Sequence, residues 1–394
     1  MISVEEALAR VLALAAPVPA ETVPLRKAAG RVLRANATAR RDQPPFSASA
    51  MDGYAIRETD HVAGAKLRVI GEAAAGHGFP GQVGQGEAVR ISTGAPIPDG
   101  AERVVLQEDA PREGDVILLG EALEKETHIR PLGQDFRAGD GMSAPRRLRA
   151  VDLALLAAMN VPEVTVARRP VVAMIATGDE LVMPGEEPGP DQIIASNSFA
   201  LAAMAEAEGA EVRMLPIARD TEESLRFTLA LAEGADLVVT MGGASVGDHD
   251  LVGAVAGMMG LERSFYKIAM RPGKPLMAGR LGDAALLGLP GNPVSSIVCG
   301  HLFMLPMLRA MLGLPEVHAP RLRARLAADL PANGPREHYM RARLEPAGGL
   351  PLIRTFANQD SSLLGVLSQA DALLVRAAAE GPRQEGEEVD YIAL

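Results

Sequence analysis

A short apolar run that ends in two glycines stands in the middle of this 394-residue sequence, where residues 235–250 read ADLVVTMGGASVGDHD. The run 237–239 is typical of a strand that is covered on both faces in a parallel sheet. Apolar residues resume from Leu251 at helical spacing, so the order is strand, glycine loop, helix. Such a loop lets backbone N–H groups approach an anion, although a Gly-Gly pair alone also suits a tight surface turn.

Composition and charge exclude several functional classes. The formal net charge is −11, which argues against the basic surface that nucleic-acid binding needs. A single cysteine, Cys299, excludes an internal disulfide, a cysteine-based zinc site and an iron–sulfur cluster. It does not exclude a site in which carboxylates bind a hard cation. Polar residues and a proline interrupt the apolar segment 294–312, so we predict a core helix and no membrane span. The acidic first helix is unlike a signal peptide, and a cytoplasmic location is expected.

Changes in residue pattern divide the chain into predicted domains. Short β runs between Gly and Pro fill 46–134 and predict a small all-β domain, inserted into a linking domain made of 1–45 and 135–168. Strands and helices alternate over 169–318, which predicts an α/β domain with a parallel-type sheet. Short β runs return over 319–394 and predict a small β-barrel or sandwich. The fold class is therefore multidomain α/β plus β.

A cluster of cations stands out in this acidic chain. Lys267, Arg271 and Lys274 surround Pro272-Gly273, a rigid turn that would present them to an anion. A solvated surface cluster is the alternative. In the C-terminal β runs, Arg341 is the cation that we single out as a candidate binding residue.

Two helix starts in the α/β region carry polar residues. Asn292-Pro293 is typical of a helix start and would place the Ser295 hydroxyl and free N–H groups at a helix N-terminus, which is a second anion site. Asp220 stands before the helix predicted from Thr221. A role as the N-cap of that helix would explain Asp220 without any chemistry.

Six separated motifs can be compared together. In chain order they are SAMDGYA at 49–55, TGAPIP at 93–98, TGDEL at 177–181, GGASVG at 242–247, RPGKP at 271–275 and PGNPVS at 290–295. Each motif alone would suit a turn, as Asp52-Gly53 does. In this order they resemble the molybdopterin molybdenumtransferase family, the bacterial MoeA type that is also found in the C-terminal part of gephyrin. The resemblance covers nearly the whole chain.

The resemblance implies a fold and a reaction. It implies an elongated homodimer of four-domain subunits, with a molybdopterin-binding three-layer α/β domain over 169–318 and a C-terminal β-barrel. The inserted β domain of one subunit would face the α/β domain of the other. The implied reaction consumes molybdate and adenylylated molybdopterin with Mg²⁺ and releases AMP and molybdenum cofactor. Molybdopterin adenylyltransferase and molybdoenzyme maturation proteins are possible partners, and neither nucleic acid nor a membrane is expected.

The resemblance also assigns roles to residues, which agree with their chemistry. Carboxylates and a hydroxyl for the anhydride step are Asp52, Thr93, Asp135, Glu180, Asp220 and Asp250. The expected Mg²⁺ ligands are Asp220, Asp250 and Glu180. The expected binding residues for molybdopterin phosphate and molybdate are Gly242, Gly243, Ser245, Gly247, Arg271, Lys274, Pro275, Ser295 and Arg341. The segment 359–362 matches the serine-bearing loop of the family only loosely.

Two other functions stay open. One is the adenylyltransferase that shares the α/β domain, although it typically carries Thr-Gly-Gly-Thr-Gly at the glycine loop and lacks the β insertion. The other is a carrier or scaffold that binds molybdopterin without turnover.

Overall fold

The computed structural model describes residues 1–243 and 251–394, and its central feature is a mixed sheet. Across that sheet the strands are, in order, Glu211–Met214, Val171–Ala176, Leu237–Met241, Ala284–Leu289, Met277–Leu281 and Glu262–Tyr266. The first four strands in this order, from Glu211–Met214 to Ala284–Leu289, run parallel to one another. Every residue of Leu237–Met241 is buried, as the apolar run predicts for a strand covered on both faces.

The remaining strands of the sheet are antiparallel, which the prediction of a parallel-type sheet did not include. Met277–Leu281 and Ala284–Leu289 are joined by the two residues Gly282 and Asp283. A two-residue connection permits only a hairpin, and Gly282 supplies the positive φ of 59° that such turns favour. The Gly-Asp pair was the sequence signal for this hairpin.

Helices cover both faces of the central sheet and give the predicted three layers. The described α-helices of the chain are Val4–Leu14, Ala150–Ala158, Asn197–Glu208, Glu222–Ala230, Leu251–Met258, Pro293–Cys299, Leu305–Leu312 and Leu364–Leu367. Single 3₁₀ turns lie at Leu25–Lys27, Glu58–Asp60 and Gln107–Asp109. One face packs on Asn197–Glu208 and the segment from 293 to 312, and the opposite face packs on Glu222–Ala230 and Leu251–Met258.

One described helix has the length and composition of a membrane span. Pro293–Leu312 continues through a π-helical turn at Gly300–Met304, and 83% of its apolar window is buried inside the protein. It packs in the largest hydrophobic cluster, beside strands of the central sheet. This agrees with the prediction of a core helix.

Two other sheets precede the central one. The first contains Ala20–Pro24, Glu163–Ala167, Val32–Leu33 and Arg146–Arg147, in that order. The second contains Arg103–Leu106, Gly53–Ile56, Glu87–Ile91, Lys66–Ala73, Val116–Leu118 and Arg112–Glu113. Short strand pairs join Ala48–Ser49 to Ile129–Arg130, Ala37–Thr38 to Gly141–Met142, and Leu181–Val182 to Ile193–Ile194. The domain boundaries given above stay predictions.

The C-terminal region forms a closed barrel. Its strands are, in order, Glu337–Glu345, Leu352–Thr355, Leu322–Leu326, Glu388–Ala393 and Ala372–Arg376. Ala372–Arg376 pairs back onto Glu337–Glu345 and closes the ring, which confirms the barrel. Met270–Arg271 from the central region adds to the barrel in parallel with the start of Glu337–Glu345, so the two regions share a strand pairing.

We predict that Gly53→Ala destabilises the inserted sheet. A Cβ atom at Gly53 would lie 1.9 Å from the carbonyl oxygen of Val105 on the paired strand, so Gly53–Ile56 would have to shift. The expected loss is about 1–3 kcal/mol of unfolding free energy or more, as for other overpacked sites. Denaturant unfolding followed by circular dichroism measures it.

Gly257→Ala is the matched control. Nothing lies within 4 Å of a Cβ at this helical position, so the protein should keep its stability or gain up to about 1 kcal/mol. Equal unfolding midpoints for the two variants would contradict the proposed clash.

Candidate functional site

A cavity of about 590 Å³ lies at the carboxyl ends of the parallel strands. Open parallel sheets place their ligands at this edge, because the chain leaves the sheet there through loops and helix starts. The cavity brings together Glu180, Asp220, Gly242, Gly243, Pro275 and Ser295 from the predicted set. Its other lining residues include Thr177, Ile193, Ile194, Ser196, Asn197, Ser198, Asn292 and Ser362.

The two glycines after the central strand allow the chain to pass close to its neighbour. Gly242 has φ 99°, and a Cβ there would lie 2.6 Å from the carbonyl oxygen of Thr177. Gly243 has φ 64°, and its Cβ would lie 2.3 Å from a methyl group of Val252. Larger residues would separate this turn from the end of Val171–Ala176. The cavity therefore needs both glycines.

Two of the predicted carboxylates share the cavity. Glu180 follows the strand Val171–Ala176, and Asp220 follows the neighbouring strand Glu211–Met214. The N-cap alternative for Asp220 is wrong, because Thr221 occupies that position and its hydroxyl accepts a bond from the Ser224 N–H at 3.2 Å. Within residues 1–243 and 251–394, neither the Glu180 nor the Asp220 carboxylate makes an ion pair or accepts a hydrogen bond. Both are free to meet a ligand.

The helix start at Pro293 forms another wall. Asn292 is the N-cap residue and Pro293 the first helical residue, as predicted. Ser295 is buried at the third helical position and lines the cavity. Ser361 covers part of this helix start, since its carbonyl oxygen accepts the Val294 N–H at 3.1 Å and its hydroxyl lies 3.0 Å from the Asn292 amide nitrogen.

The predicted cations lie on residues 267–276, an excursion of the chain that leaves the central sheet and pairs with the barrel. Lys267 N–H donates to Leu276 O at 2.9 Å and Ile268 N–H donates to Lys274 O at 3.0 Å, so these bonds hold the two ends of the excursion together. Pro275 reaches the cavity. In the described part of the chain, Arg271 and Lys274 make no ion pair. Their charges therefore remain available to an anion.

Arg341 lies buried beside this excursion. The Gln359 amide oxygen accepts bonds from its backbone N–H at 3.0 Å and its Nε at 3.2 Å, and Asp360 O accepts from Nη1 at 2.8 Å. Burial and the nearby Arg271 lower the pKa of the guanidinium, and Asp360 opposes that shift. Burial, together with Arg271, Arg341 and other guanidinium groups, lowers the pKa of His338 to about 4, so this ring is neutral at pH 7.

The structure places Asp52, Thr93 and Asp135 away from this cavity. Asp52 accepts bonds from the Thr93 N–H at 2.7 Å and the Thr93 hydroxyl at 3.2 Å, beside the inserted sheet. These two bonds, the backbone one first, hold the pKa of the Asp52 carboxyl below its usual value. Asp135 lines a separate cavity of about 570 Å³ together with Phe46 and Arg130. Ser245, Gly247 and Asp250 lie outside the described residues.

Several cavity residues were missing from the predicted set. The Asn197 amide nitrogen donates to Gly291 O at 2.7 Å and ties two walls together. Ser196 precedes this helix as its N-cap, and a Ser-Asn pair before an apolar helix was the available signal. Ser362 enters from the C-terminal loop, which the loose motif match gave no reason to include.

Comparison with known proteins agrees with this arrangement. Residues 2–160 match the "MoeA N-terminal region (domain I and II)", residues 173–310 the "Probable molybdopterin binding domain" and residues 323–394 the "MoeA C-terminal region (domain IV)". The molybdopterin molybdenumtransferase of Nostoc sp. is 35% identical, over 95% of this chain and 88% of its own length. The chain belongs to the molybdopterin molybdenumtransferase family.

Other members of the family match over similar lengths. The molybdopterin molybdenumtransferase of Staphylococcus aureus strain COL is 30% identical over 99% of this chain and 95% of its own length. The crystal structure of the molybdopterin biosynthesis moeA protein from Pyrococcus horikoshii OT3 superposes with a TM-score of 0.85. It is 29% identical, with 100% of each chain covered. The predicted family and fold class are confirmed.

We predict that Thr93→Val raises the pKa of Asp52 and leaves it below the usual value. The substitution removes the hydroxyl donor and keeps the backbone N–H, which is the larger cause of the shift. Because the pKa is lowered in the folded state, the bonds stabilise the fold above the usual pKa, and this contribution is lost as the pH falls through the lowered one. Carboxyl-selective NMR titration measures the shift.

Thr93→Ser keeps a hydroxyl and is the control. Its Asp52 should titrate close to the native one. A valine variant that titrates like the serine variant would show that the hydroxyl bond has no effect on the carboxylate.

Proposed function

We propose that this protein inserts molybdate into adenylylated molybdopterin and releases AMP and molybdenum cofactor. Its relatives named molybdopterin molybdenumtransferase support the reaction class. The observation that carries the proposal is one cavity that two carboxylates share with a helix start and a glycine turn. Among residues 1–243 and 251–394 these carboxylates, and Arg271 and Lys274 on the adjoining excursion, make no ion pair.

The cavity offers different chemistry to each part of such a substrate. Ile193 and Ile194 are 59% and 38% exposed and provide an apolar surface for a flat pterin ring. Ser196 and Asn197 beside them provide hydroxyl and amide groups for the polar ring edge. The turn at Gly242 and Gly243 suits the phosphate.

Molybdate is a tetrahedral dianion, and the cationic excursion suits it. Arg271 and Lys274 supply charge, and Arg341 supplies a guanidinium from the barrel side. Ser295 adds a hydroxyl at the helix start. Binding there would place molybdate next to the cavity that holds the pterin.

The acidic wall fits Mg²⁺. Glu180 and Asp220 are hard oxygen donors, and Mg²⁺ commonly takes one or two carboxylates together with water and substrate phosphates. In residues 1–243 and 251–394 no three His, Cys, Asp or Glu side chains converge, and Asp250, the third expected ligand, lies outside these residues. Bound Mg²⁺ would neutralise charge on the anhydride between molybdopterin and AMP. The same carboxylates would also hold a water at the anhydride.

AMP release from adenylylated molybdopterin, with Mg²⁺ and with or without molybdate, tests the function. We expect release that depends on molybdate. Lys274→Ala should raise the half-saturating molybdate concentration about 10- to 100-fold, because one charge-assisted contact contributes roughly 1.5–3 kcal/mol. Lys66→Ala, which removes an exposed lysine from the inserted sheet, is the matched control and should leave the molybdate dependence unchanged.

The remaining outcomes identify the other functions. Adenylylated molybdopterin formed from ATP and free molybdopterin would make the protein an adenylyltransferase. Tight binding of the substrate without AMP release would make it a carrier. Either result would overturn the proposed transfer.

We further propose a cytoplasmic homodimer in which the inserted domain of one subunit completes the cavity of the other. The resemblance carries this step, and the distance of Asp52, Thr93 and Asp135 from the cavity of their own chain is compatible with it. Phe46 at 38% exposure offers apolar surface beside Asp135. A molybdopterin adenylyltransferase would supply the substrate, and molybdoenzyme maturation proteins would receive the product.

Mixing two inactive variants tests this shared site. Asp52→Asn and Asp220→Asn should each lose activity, and subunit exchange between them should restore about a quarter of it, since half of the dimers would carry one intact site. AMP release before and after exchange measures the recovery. A mixture that stays as inactive as its components would contradict a site built from two subunits.

A further inference from the structure

Two residues outside the predicted set connect the loops that carry Glu180 and Asp220. The loops are neighbours because Val171–Ala176 and Glu211–Met214 pair in parallel, and a bridge between Thr177 and Ala218 extends the pairing towards the cavity. Beyond that bridge the strands end. The connecting residues are Asp179 and Arg219, one on each loop.

Arg219 encloses the turn that carries Glu180. Its Nη1 donates to the carbonyl oxygens of Asp179 at 3.0 Å and Leu181 at 3.0 Å, with Gly178 O at 3.4 Å. These carbonyls lie on both sides of Glu180 along the chain. One guanidinium nitrogen therefore fixes the path of the backbone before and after the acidic residue.

Asp179 makes the reciprocal connection. Its Oδ1 accepts the backbone N–H of Asp220 at 3.1 Å. The Arg219 N–H in turn donates to the Ser224 hydroxyl at 2.9 Å, at the start of the next helix. Each loop thus supplies a charged side chain that holds the backbone of the other.

The turn also limits where the Glu180 carboxylate can lie. A Cβ at Gly178 would stand 2.3 Å from Glu180 Oε2, so the carboxylate is folded back over this glycine. Two carboxylates that share a cavity repel each other unless something holds and compensates them. Arg219 bonds to the carbonyls behind the turn and so holds the backbone that carries the Glu180 carboxylate.

We propose that Arg219 and Asp179 are positioning residues, which hold the Glu180 and Asp220 carboxylates in one arrangement before substrate and cation arrive. This inference rests on the proposed function for the role of the two acids. Arg219 is exposed and every bond of its guanidinium goes to the Glu180 turn. Its removal therefore affects the acids more than the core.

Binding of Mn²⁺ alone, followed by electron paramagnetic resonance, tests the arrangement without turnover. Arg219→Ala should weaken Mn²⁺ binding about 10- to 100-fold, as loss of residues that orient metal ligands typically does. The Mg²⁺ concentration for half-maximal AMP release should rise in parallel. Arg219→Lys keeps the charge without the planar fork, and its Mn²⁺ affinity should lie between those of the native protein and Arg219→Ala.

The control is Arg226→Ala. It removes the same charge from the adjoining helix, where Arg226 forms an exposed pair with Glu222 at 2.9 Å, and should leave Mn²⁺ affinity unchanged. Thermal unfolding of Arg219→Ala and Arg226→Ala should agree. Asp179→Asn keeps the acceptor for the Asp220 N–H and should bind Mn²⁺ better than Asp179→Ala.

Two outcomes separate this inference from the proposed function. If the native protein binds Mn²⁺ and releases AMP while Arg219→Ala matches Arg226→Ala in both assays, the positioning role is wrong and the function stands. If the native protein binds Mn²⁺ no better than Asp220→Asn, the metal role of the acids is wrong and the inference falls with it.

Discussion

The parallel pairing of Leu237–Met241 with both of its neighbours is the constraint on which the rest of the site depends. Parallel strands in register end at the same edge, so the chain leaves the sheet at this edge after each of them. Loops and helix starts accumulate at that edge, where their polar backbone groups need partners from side chains, other loops or ligands. The buried strands themselves contribute no chemistry, and they fix where the residues that follow them lie.

The barrel adds to this site through two separate attachments. The first is the pairing of Met270–Arg271 with Glu337 and His338. The second is the segment 359–362, in which Gln359 and Asp360 hold Arg341 while Ser361 contacts the helix start. The residues proposed to bind the anion therefore come from both regions, whose buried side chains share one hydrophobic cluster. His338, neutral beside several guanidinium groups, adds no positive charge to the proposed anion site.

Local sequence patterns were enough to predict part of the site. The apolar run 237–239, the glycine pair after it and the Asn-Pro helix start each have a local cause, and the structure shows each of them. Contacts between distant segments were not accessible in the same way. Nothing near Ser362 indicates that its loop reaches the cavity, and nothing near Arg219 indicates that it encloses a turn about forty residues earlier. The helix is capped by Thr221 and not by Asp220, because the Thr221 hydroxyl reaches the Ser224 N–H.

The contribution of two regions to the proposed anion site has a consequence for protein synthesis. Translation delivers the N-terminal segments first, and domains generally fold as units. A growing chain can therefore contain Glu180 and Asp220 while Arg341 and Ser362 are still to be made. The proposed site is therefore completed late in synthesis, when the last strands of the barrel are made and pack against the central region.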